Sequence, residues 1–469
     1  MMHISFSGFA MMSYLKGLAV VCALAANCLA ESPNVIVILS DDMGYSDVER
    51  FGKTEISTPG LNRLAEEGVR FTNAYVTAPI CTASRMGLLS GRYQQRFGVY
   101  CNFHDAHQNH LAMKATLLPA VFQKAGYRTA LVGKWHLSGN STKRFVLPGP
   151  LTRGFDEFVG IPGGGSDFFK GALILRQEAE EKSPEYMTDF FGNEACAFIE
   201  RNHKHPFFLY LAFNAVHSPM HATQDDIAAF PRVKDRNRRI YCGMLRAMDR
   251  NIGRVLNQLD KHNLADNTIV VFLNDNGGGG STPDYAGHSR NYANNLPLRG
   301  HKFDVYEGGI RVPMLMRWPR RFNKSHVYEK MVSSTDIYPT VVAAAGLTMP
   351  GEECDGVNLL PHLIGKTHNE PHESLCWQNR AWFPQKPGDF GRPASRVHNS
   401  AIRRGKWKLV RLQENIDEPD PPSWQLYDLD ADIGEANDVS AKHAEIVKEL
   451  SARFNKWRSS MHPCISAGK

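Results

Sequence analysis

The chain lacks the marks of several large protein classes. It has no apolar run long enough to cross a bilayer as a helix, since the run from Gly17 to Ala26 is too short, so no stable membrane insertion is expected. It has no Cys-x-x-Cys pair, so its cysteine spacing argues for no thiolate zinc site and fixes no disulfide pattern. There is no internal repeat and no long low-complexity tract, which leaves an ordinary globular reading. Neither sign of charge dominates. Lys and Arg number 54 against 48 Asp and Glu, a formal charge of +6, which is compatible with an anionic substrate but carries no basic tract that would argue for nucleic acid.

What is present begins with an export signal. Lys16 precedes the apolar run, and Cys28-Leu29-Ala30 supplies small residues at a cleavage position, so residues 1–30 read as a secretory leader of an exported, periplasmic or secreted protein. Acylation at Cys28 fits the preceding residues less well. Removal of the leader takes away one lysine and no acid, lowering the formal charge from +6 to +5. It also takes two of the nine cysteines, and the seven left could include pairs in an oxidising compartment. At 469 residues the length prior favours two or three domains.

Four buried-strand patterns organise the first part of the chain. Asn34 to Leu39 (N-V-I-V-I-L), Tyr127 to Val132, Phe207 to Phe213 and Thr268 to Leu273 (T-I-V-V-F-L) are apolar and largely β-branched or aromatic, as in parallel strands covered on both faces. Each ends in polar chemistry: Asp41 and Asp42, Lys134 and His136, His217, and Asp275 with Asn276. In open α/β sheets ligands bind at the carboxyl ends of the strands. Adjacent carboxylates there repel each other, and a divalent cation is a common remedy.

Between the first two strands lies Cys81-Thr-Ala-Ser-Arg-Met-Gly-Leu-Leu-Ser-Gly-Arg92, read as a short helix with Cys81, Ser84 and Arg85 in its first turn. Free N–H groups and the helix dipole favour negative charge at such a start. Further helices are expected from Thr58-Pro59-Gly60, over Thr116 to Ala125, from Tyr241 with an apolar stripe to Leu259, and over Thr335 to Gly346. The loop Leu298-Arg-Gly-His-Lys302 runs on to Tyr306-Glu-Gly-Gly-Ile-Arg-Val-Pro313, where paired glycines imply a tight turn or close approach and Lys302 is a candidate cation. Beyond about residue 365, polar and Pro-rich loops alternate with short strands and a final helix near Ala441 to Trp457. The expected organisation is an α/β catalytic domain over 31–365, with a large, mostly parallel sheet between helices, and a smaller antiparallel α+β unit over 366–469.

Cys81-x-Ala-Ser-Arg with Leu89-Ser-Gly-Arg, preceded by Asp41-Asp42 and followed by Gly133-Lys-Trp-His, Asp275-Asn-Gly-Gly and the Lys302 loop, resembles the formylglycine-dependent sulfatases of the alkaline phosphatase superfamily. The match spans nearly the whole chain after the leader, in the expected order. The resemblance implies hydrolysis of sulfate esters, on a carbohydrate above all. It implies that a maturation enzyme oxidises Cys81 to formylglycine, whose hydrate attacks sulfur with one oxygen and expels sulfate with the other. Asp41, Asp42, Asp275 and Asn276, with the converted Cys81, would hold a divalent cation; hard oxygen donors favour calcium over magnesium. Arg85 would hold the nucleophile, Lys134 and Lys302 would clamp sulfate, His136 would orient the hydrate and take its proton, and His217 would protonate the leaving alcohol.

The departures from the common pattern are Ala83 in place of proline, Ser90 in place of threonine and His301 in place of glycine. Ala83 bears on which maturase recognises the segment. A phosphomonoester or phosphonate hydrolase on the same scaffold, and an unconverted homologue that only binds sulfated glycans, remain open at this stage. His104, His288, Arg290 and the stretch Cys376-Trp-Gln-Asn-Arg-Ala-Trp-Phe383 are candidate substrate contacts.

Overall fold

The computed structural model describes residues 32–102, 114–138, 149–279, 292–351, 354–384, 393–413 and 423–463. The leader, His104, His288 and Arg290 lie outside them. Among the described residues, strands run in chain order as β1 (Asn34–Ser40), β2 (Val69–Phe71), β3 (Ala74–Tyr75), β4 (Arg128–Lys134), β5 (Glu157–Ile161), β6 (Leu173–Arg176), β7 (Ala179–Lys182), β8 (Phe207–Ala212), β9 (Thr268–Asn274), β10 (Met314–Arg317), β11 (His326–Tyr328), β12 (Val332–Ser333), β13 (Leu375–Pro384), β14 (Pro393–Arg404), β15 (Trp407–Arg411) and β16 (Gln425–Asp428).

A ten-stranded sheet has the order β11-β2-β10-β9-β1-β8-β4-β5-β6-β7. Its centre, β9-β1-β8-β4-β5, is parallel, and antiparallel pairs flank it on either side. The continuous apolar reading of β1 follows from this position: all seven of its residues are buried. Alternate side chains serve opposite layers. Val35, Val37 and Leu39 join a core with Leu118, Phe122, Ile337 and Val341. Ile36 and Ile38 join another with Leu61, Phe190, Leu245 and Ile252. The sheet is therefore sandwiched between helices. Helices Pro59–Glu66, Met187–Asn202 and Arg236–Lys261 cover one face, and Cys81–Ser90, Leu118–Lys124 and Ile337–Ala344 cover the other.

The helix expected from Tyr241 begins earlier, at Arg236, because the Asp235 side chain accepts a hydrogen bond from Arg238 N and caps it. Helix Met187–Asn202 escaped the sequence reading because its apolar residues do not form a clean stripe. The largest difference lies in the last third of the chain. A segment read as loops between short strands contains the long antiparallel pair β13–β14, which continues through β15 to β16 as a separate four-stranded sheet. Helix Ala444–Ser459 packs Leu450 and Phe454 against one face of it. No helix among the described residues is long and apolar enough to cross a membrane, and none of the six described cysteines is bonded to another.

The two sheets meet over a buried ionic cluster. Lys408 Nζ, on β15, donates to Glu307 at 2.8 Å and forms an ion pair with Glu435 at 2.8 Å, with all three side chains out of solvent. Glu307 also accepts from Tyr75 Oη at 2.6 Å and faces Arg311, while its backbone N–H donates to Glu435 at 2.7 Å. Replacing Lys408 with Met would leave two carboxylates buried without their shared cation. The expected loss is about 3–5 kcal/mol of unfolding free energy, read by urea titration. An unchanged midpoint and slope would show that the cluster does not hold the sheets together.

Candidate active site

All four strand-end groups converge at one edge of the central sheet. Asp41 and Asp42 follow β1, Lys134 ends β4, His217 follows β8, and Asp275 and Asn276 follow β9. Cys81 opens helix Cys81–Ser90 after an extended Ile80, and Lys302 arrives on the loop before β10. Apart from half-buried His217, these groups are buried. Two site residues other than glycine, Asp42 and His136, hold left-handed backbone conformations, with φ of 61° and 56°. Such conformations cluster at functional sites.

Charge pairing dominates the geometry. Arg85 donates to Asp275 Oδ2 from Nε at 3.0 Å and from Nη2 at 2.8 Å, lies 3.6 Å from Asp41, and bonds the Lys134 carbonyl at 3.1 Å. Lys134 Nζ donates to Asp41 Oδ2, and Lys302 Nζ donates to Asp42 Oδ2 at 2.7 Å. Asn276 Nδ2 donates to Asp42 Oδ1 at 2.7 Å, and His217 Nε2 stands 3.5 Å from Asp42 Oδ2. The Cys81 thiol points at Asp41 Oδ1, 3.7 Å away. The anchors expected to clamp a substrate thus each touch a carboxylate. Arg85, read as a partner of the nucleophile, makes its hydrogen bonds to Asp275 and the Lys134 carbonyl.

Burial and neighbours set the protonation states. Burial alone would raise the Asp42 pKa, but Lys302 and His217 outweigh it and hold the carboxyl below its usual range. Asp275 is pushed up to about 6 by burial and by repulsion from Asp41, against the pull of Arg85. His217 is lowered to about 4 by burial and by Lys302, and burial with Lys134 lowers His136 well below the ordinary histidine value. Burial pushes the Cys81 thiol up to about 12. His217 Nδ1 lies 2.6 Å from the Ser218 carbonyl, which can only accept; that nitrogen therefore carries a proton and Nε2 faces the site.

The donors fit a hard divalent cation. Asp41, Asp42, Cys81 and His217 each offer an atom within 4.8 Å of the others. Asn276 Oδ1, beside them, is buried without a hydrogen-bond partner, as an amide oxygen set aside for a cation would be. The sequence points to His217 as an acid, and the structure sets it among the candidate donors as well. Asn214, two residues beyond β8, is not among the candidates the sequence offers: it is buried and neither polar atom of its amide has a hydrogen-bond partner. Its place after a strand end is the signal that could have found it. In the stretch from Cys376, Trp377 is a core residue whose indole donates to the Val76 carbonyl at 2.7 Å, so it contacts no substrate. The side chains of residues 381–383 lie outside the description.

The paired glycines expected to permit close approach do so: a side chain on Gly308 would collide with the Gly300 carbonyl and one on Gly309 with the Asp304 carbonyl. A side chain on Gly277 would likewise collide with the Gly308 carbonyl. Gly277 N donates to Gly309 O at 2.9 Å and Lys302 N to Gly278 O at 3.1 Å, so the Asn276 turn and the Lys302 loop are laced together. From the second sheet, the cross-strand pair Asn379 and Asn399 both donate to the Phe303 carbonyl, at 3.2 and 3.5 Å, next to Lys302.

Residues 33–347 match the sulfatase family model. The chain belongs to the sulfatase family. Residues 301–460 also match the model for the C-terminal region of N-sulphoglucosamine sulphohydrolase. This sulfatase is 30% identical to an uncharacterized sulfatase, YdeN, of Escherichia coli, over 92% of its own chain and 87% of that protein. It is 34% identical to human N-acetylgalactosamine-6-sulfatase, over 74% of its chain and 69% of the relative. The crystal structure of Ps i-CgsB in complex with k-i-k-neocarrahexaose superposes with a TM-score of 0.80 at 32% identity, covering 92% of this chain and 94% of that one. The sulfatase fold of the alkaline phosphatase superfamily, an α/β sheet with a small antiparallel sheet, accounts for the architecture, and the protein is an enzyme that hydrolyses sulfate esters.

Substituting Gly277 with Ala forces the Lys302 loop away from the Asn276 turn. A displacement of about 1 Å can lower turnover about 100-fold. The variant should therefore keep its far-ultraviolet circular dichroism and lose aryl sulfatase kcat. Full activity would show that the close approach of the two loops is immaterial.

Proposed function

We propose that this sulfatase acts on sulfate esters of a carbohydrate, with Cys81 converted to formylglycine and a divalent cation, calcium before magnesium, held by Asp41, Asp42, Asp275, Asn276 and the converted Cys81. The observation that carries the reading is the crowding of Asp41, Asp42, Cys81 and His217 within 4.8 Å, flanked by Lys134 and Lys302. A sugar substrate is supported by the relatives named for N-acetylgalactosamine 6-sulfate esters and by the neighbour solved with a neocarrahexaose. The catalytic unit is read as residues 31–365 and the C-terminal unit as 366–469. An exported protein, matured by a formylglycine-generating enzyme, fits both the leader and a polysaccharide substrate.

The cation and the formylglycine would together supply a Lewis acid that polarises a sulfate oxygen and a hydrated aldehyde as nucleophile. Arg85, fixed by Asp275, keeps the nucleophile's helix against the metal donors. Once Asp41 and Asp42 are engaged elsewhere, Lys134 and Lys302 turn from them to the sulfate oxygens. His136, whose buried Nδ1 has no partner, holds the nucleophile and receives its proton. His217 gives a proton from Nε2 to the leaving alcohol. An anionic ester against Lys302 offsets the repulsion that lowers the pKa of His217, so the substrate itself arms this acid.

Peptide mass spectrometry of protein from its native host should find the Cys81 thiol replaced by an aldehyde that a hydrazide traps; a persistent thiol would sink the nucleophile assignment. Lys134→Ala and Lys302→Ala should each lower kcat about 100- to 1000-fold. Chelation should abolish activity, with calcium restoring more than magnesium. A preference for aryl phosphate over aryl sulfate, or failure on every member of a panel of sulfated mono- and oligosaccharides, would overturn the substrate reading.

A further inference from the structure

One rim of the site carries an aromatic surface that the sulfate chemistry does not use. The segment after β5 is tied to the catalytic loop by Trp135 N bonding to Ile161 O at 3.0 Å and His136 N bonding to Pro162 O at 3.1 Å. It then passes through Gly163, Gly164 and Gly165, and a Cβ placed on Gly165 would stand 4.0 Å from His217 Cε1. Beyond the glycines the next residues are held firmly. Phe168 is buried, stacks on Tyr186 at 6.2 Å and meets His221 edge-on at 6.5 Å. Phe169 turns outward and is 43% exposed.

Single exposed apolar side chains are ordinary. What sets Phe169 apart is the way it is mounted. Asp167 Oδ1 accepts both the Phe169 backbone N–H at 3.0 Å and His221 Nδ1 at 3.1 Å. The rings of Phe169 and His221 lie 5.0 Å apart, and Tyr186 Oη donates to the His221 carbonyl at 2.8 Å, so the pair is braced from below. His221 belongs to the same loop as His217, four residues further on. A solvent-facing aromatic ring thus stands beside an exposed carboxylate and a partly exposed imidazole, at the rim of the pocket that holds His217.

That combination matches a pyranose ring, which has an apolar face of C–H groups and hydroxyls around its edge. An aromatic ring takes the face, and Asp167 and His221 take hydroxyls. We propose that Phe169, with Asp167 and His221, forms a subsite for a sugar ring next to the one that carries the scissile sulfate. The subsite rests on the carbohydrate reading and extends it: the enzyme gains affinity from chain length and distinguishes a sulfated oligosaccharide from its sulfated monosaccharide. Phe169 is a binding residue here and takes no part in the chemical step.

The test compares wild type, Phe169→Ala and Phe169→Trp on three probes: 4-nitrophenyl sulfate, a sulfated monosaccharide, and the matching oligosaccharide that wild type hydrolyses. Phe169→Ala should raise KM for the oligosaccharide about 5- to 10-fold, the scale of one aromatic stack. It should leave kcat on the oligosaccharide, kcat/KM on the other two probes, and the melting temperature within experimental error. Phe169→Trp should keep the oligosaccharide KM. An unchanged oligosaccharide KM in Phe169→Ala, or an equal loss on all three probes, overturns the subsite. If wild type cleaves the aryl sulfate and no sugar sulfate, the carbohydrate reading fails on wild type alone, and the subsite falls with it. If wild type cleaves the monosaccharide but no longer chain, the subsite alone is refuted.

Discussion

Three carboxylates buried within a few ångströms of each other are the constraint on which the rest of the molecule depends. Asp41, Asp42 and Asp275 sit at neighbouring strand ends because β9, β1 and β8 run parallel, and parallel strands deliver their carboxyl ends to one edge. Such a group is tolerated only with matched positive charge. Arg85, Lys134 and Lys302 supply it from three separate segments: a helix start, a strand end and a loop. The same cations that make the fold permissible are the ones best placed to receive an anion. On the proposed reading, stability and substrate affinity draw on one set of side chains.

The second sheet is part of this arrangement. The Lys302 loop has almost no regular structure and would be a poor support for a buried ammonium group by itself. It is held by the Asn276 turn on one side and by Asn379, Asn399 and Lys408 of the second sheet on the other. Glu307, at the end of the loop, links the ionic cluster between the sheets to the glycine pair that brackets the site. The small sheet is therefore a buttress as well as a wall.

The strand-end chemistry was legible because buried parallel strands write their character continuously, with no polar alternation to blur it. N-V-I-V-I-L followed by two aspartates needs no tertiary information to be read. Lys302 could be read only because glycine pairs announce close approach. The β13–β14 ladder was not legible, since its residues Gln378, Asn379, Arg380 and Asn399 mimic loop composition; Asn379 and Asn399 are polar because they hold the Phe303 carbonyl of the Lys302 loop, and Arg380, on the opposite face, lies over the Tyr100 ring. Asp42 and His136 gave no sign of their left-handed backbones, which the packing of neighbouring turns imposes. The choice of partner for each cation was also invisible. Sequence order carries no hint that Arg85 would choose Asp275, from which it is separated by 190 positions.

Helix Cys81–Ser90 has every one of its residues buried, and the Cys81 side chain is 1% exposed. A maturation enzyme that had to grip the segment itself would find it closed in the finished protein, because Leu88 and Leu89 of the same helix lie in the main core. The proposed conversion of Cys81 is therefore a race. Whatever carries it out must act before the chain collapses around the cysteine, and the time allowed is set by folding speed. β1 cannot pair with β9 until segments 234 positions apart, such as Ser40 and Asn274, have both been made and brought together, and topologies of this kind fold slowly. The long-range sheet that assembles the site is also a clock that sets how long Cys81 stays within reach.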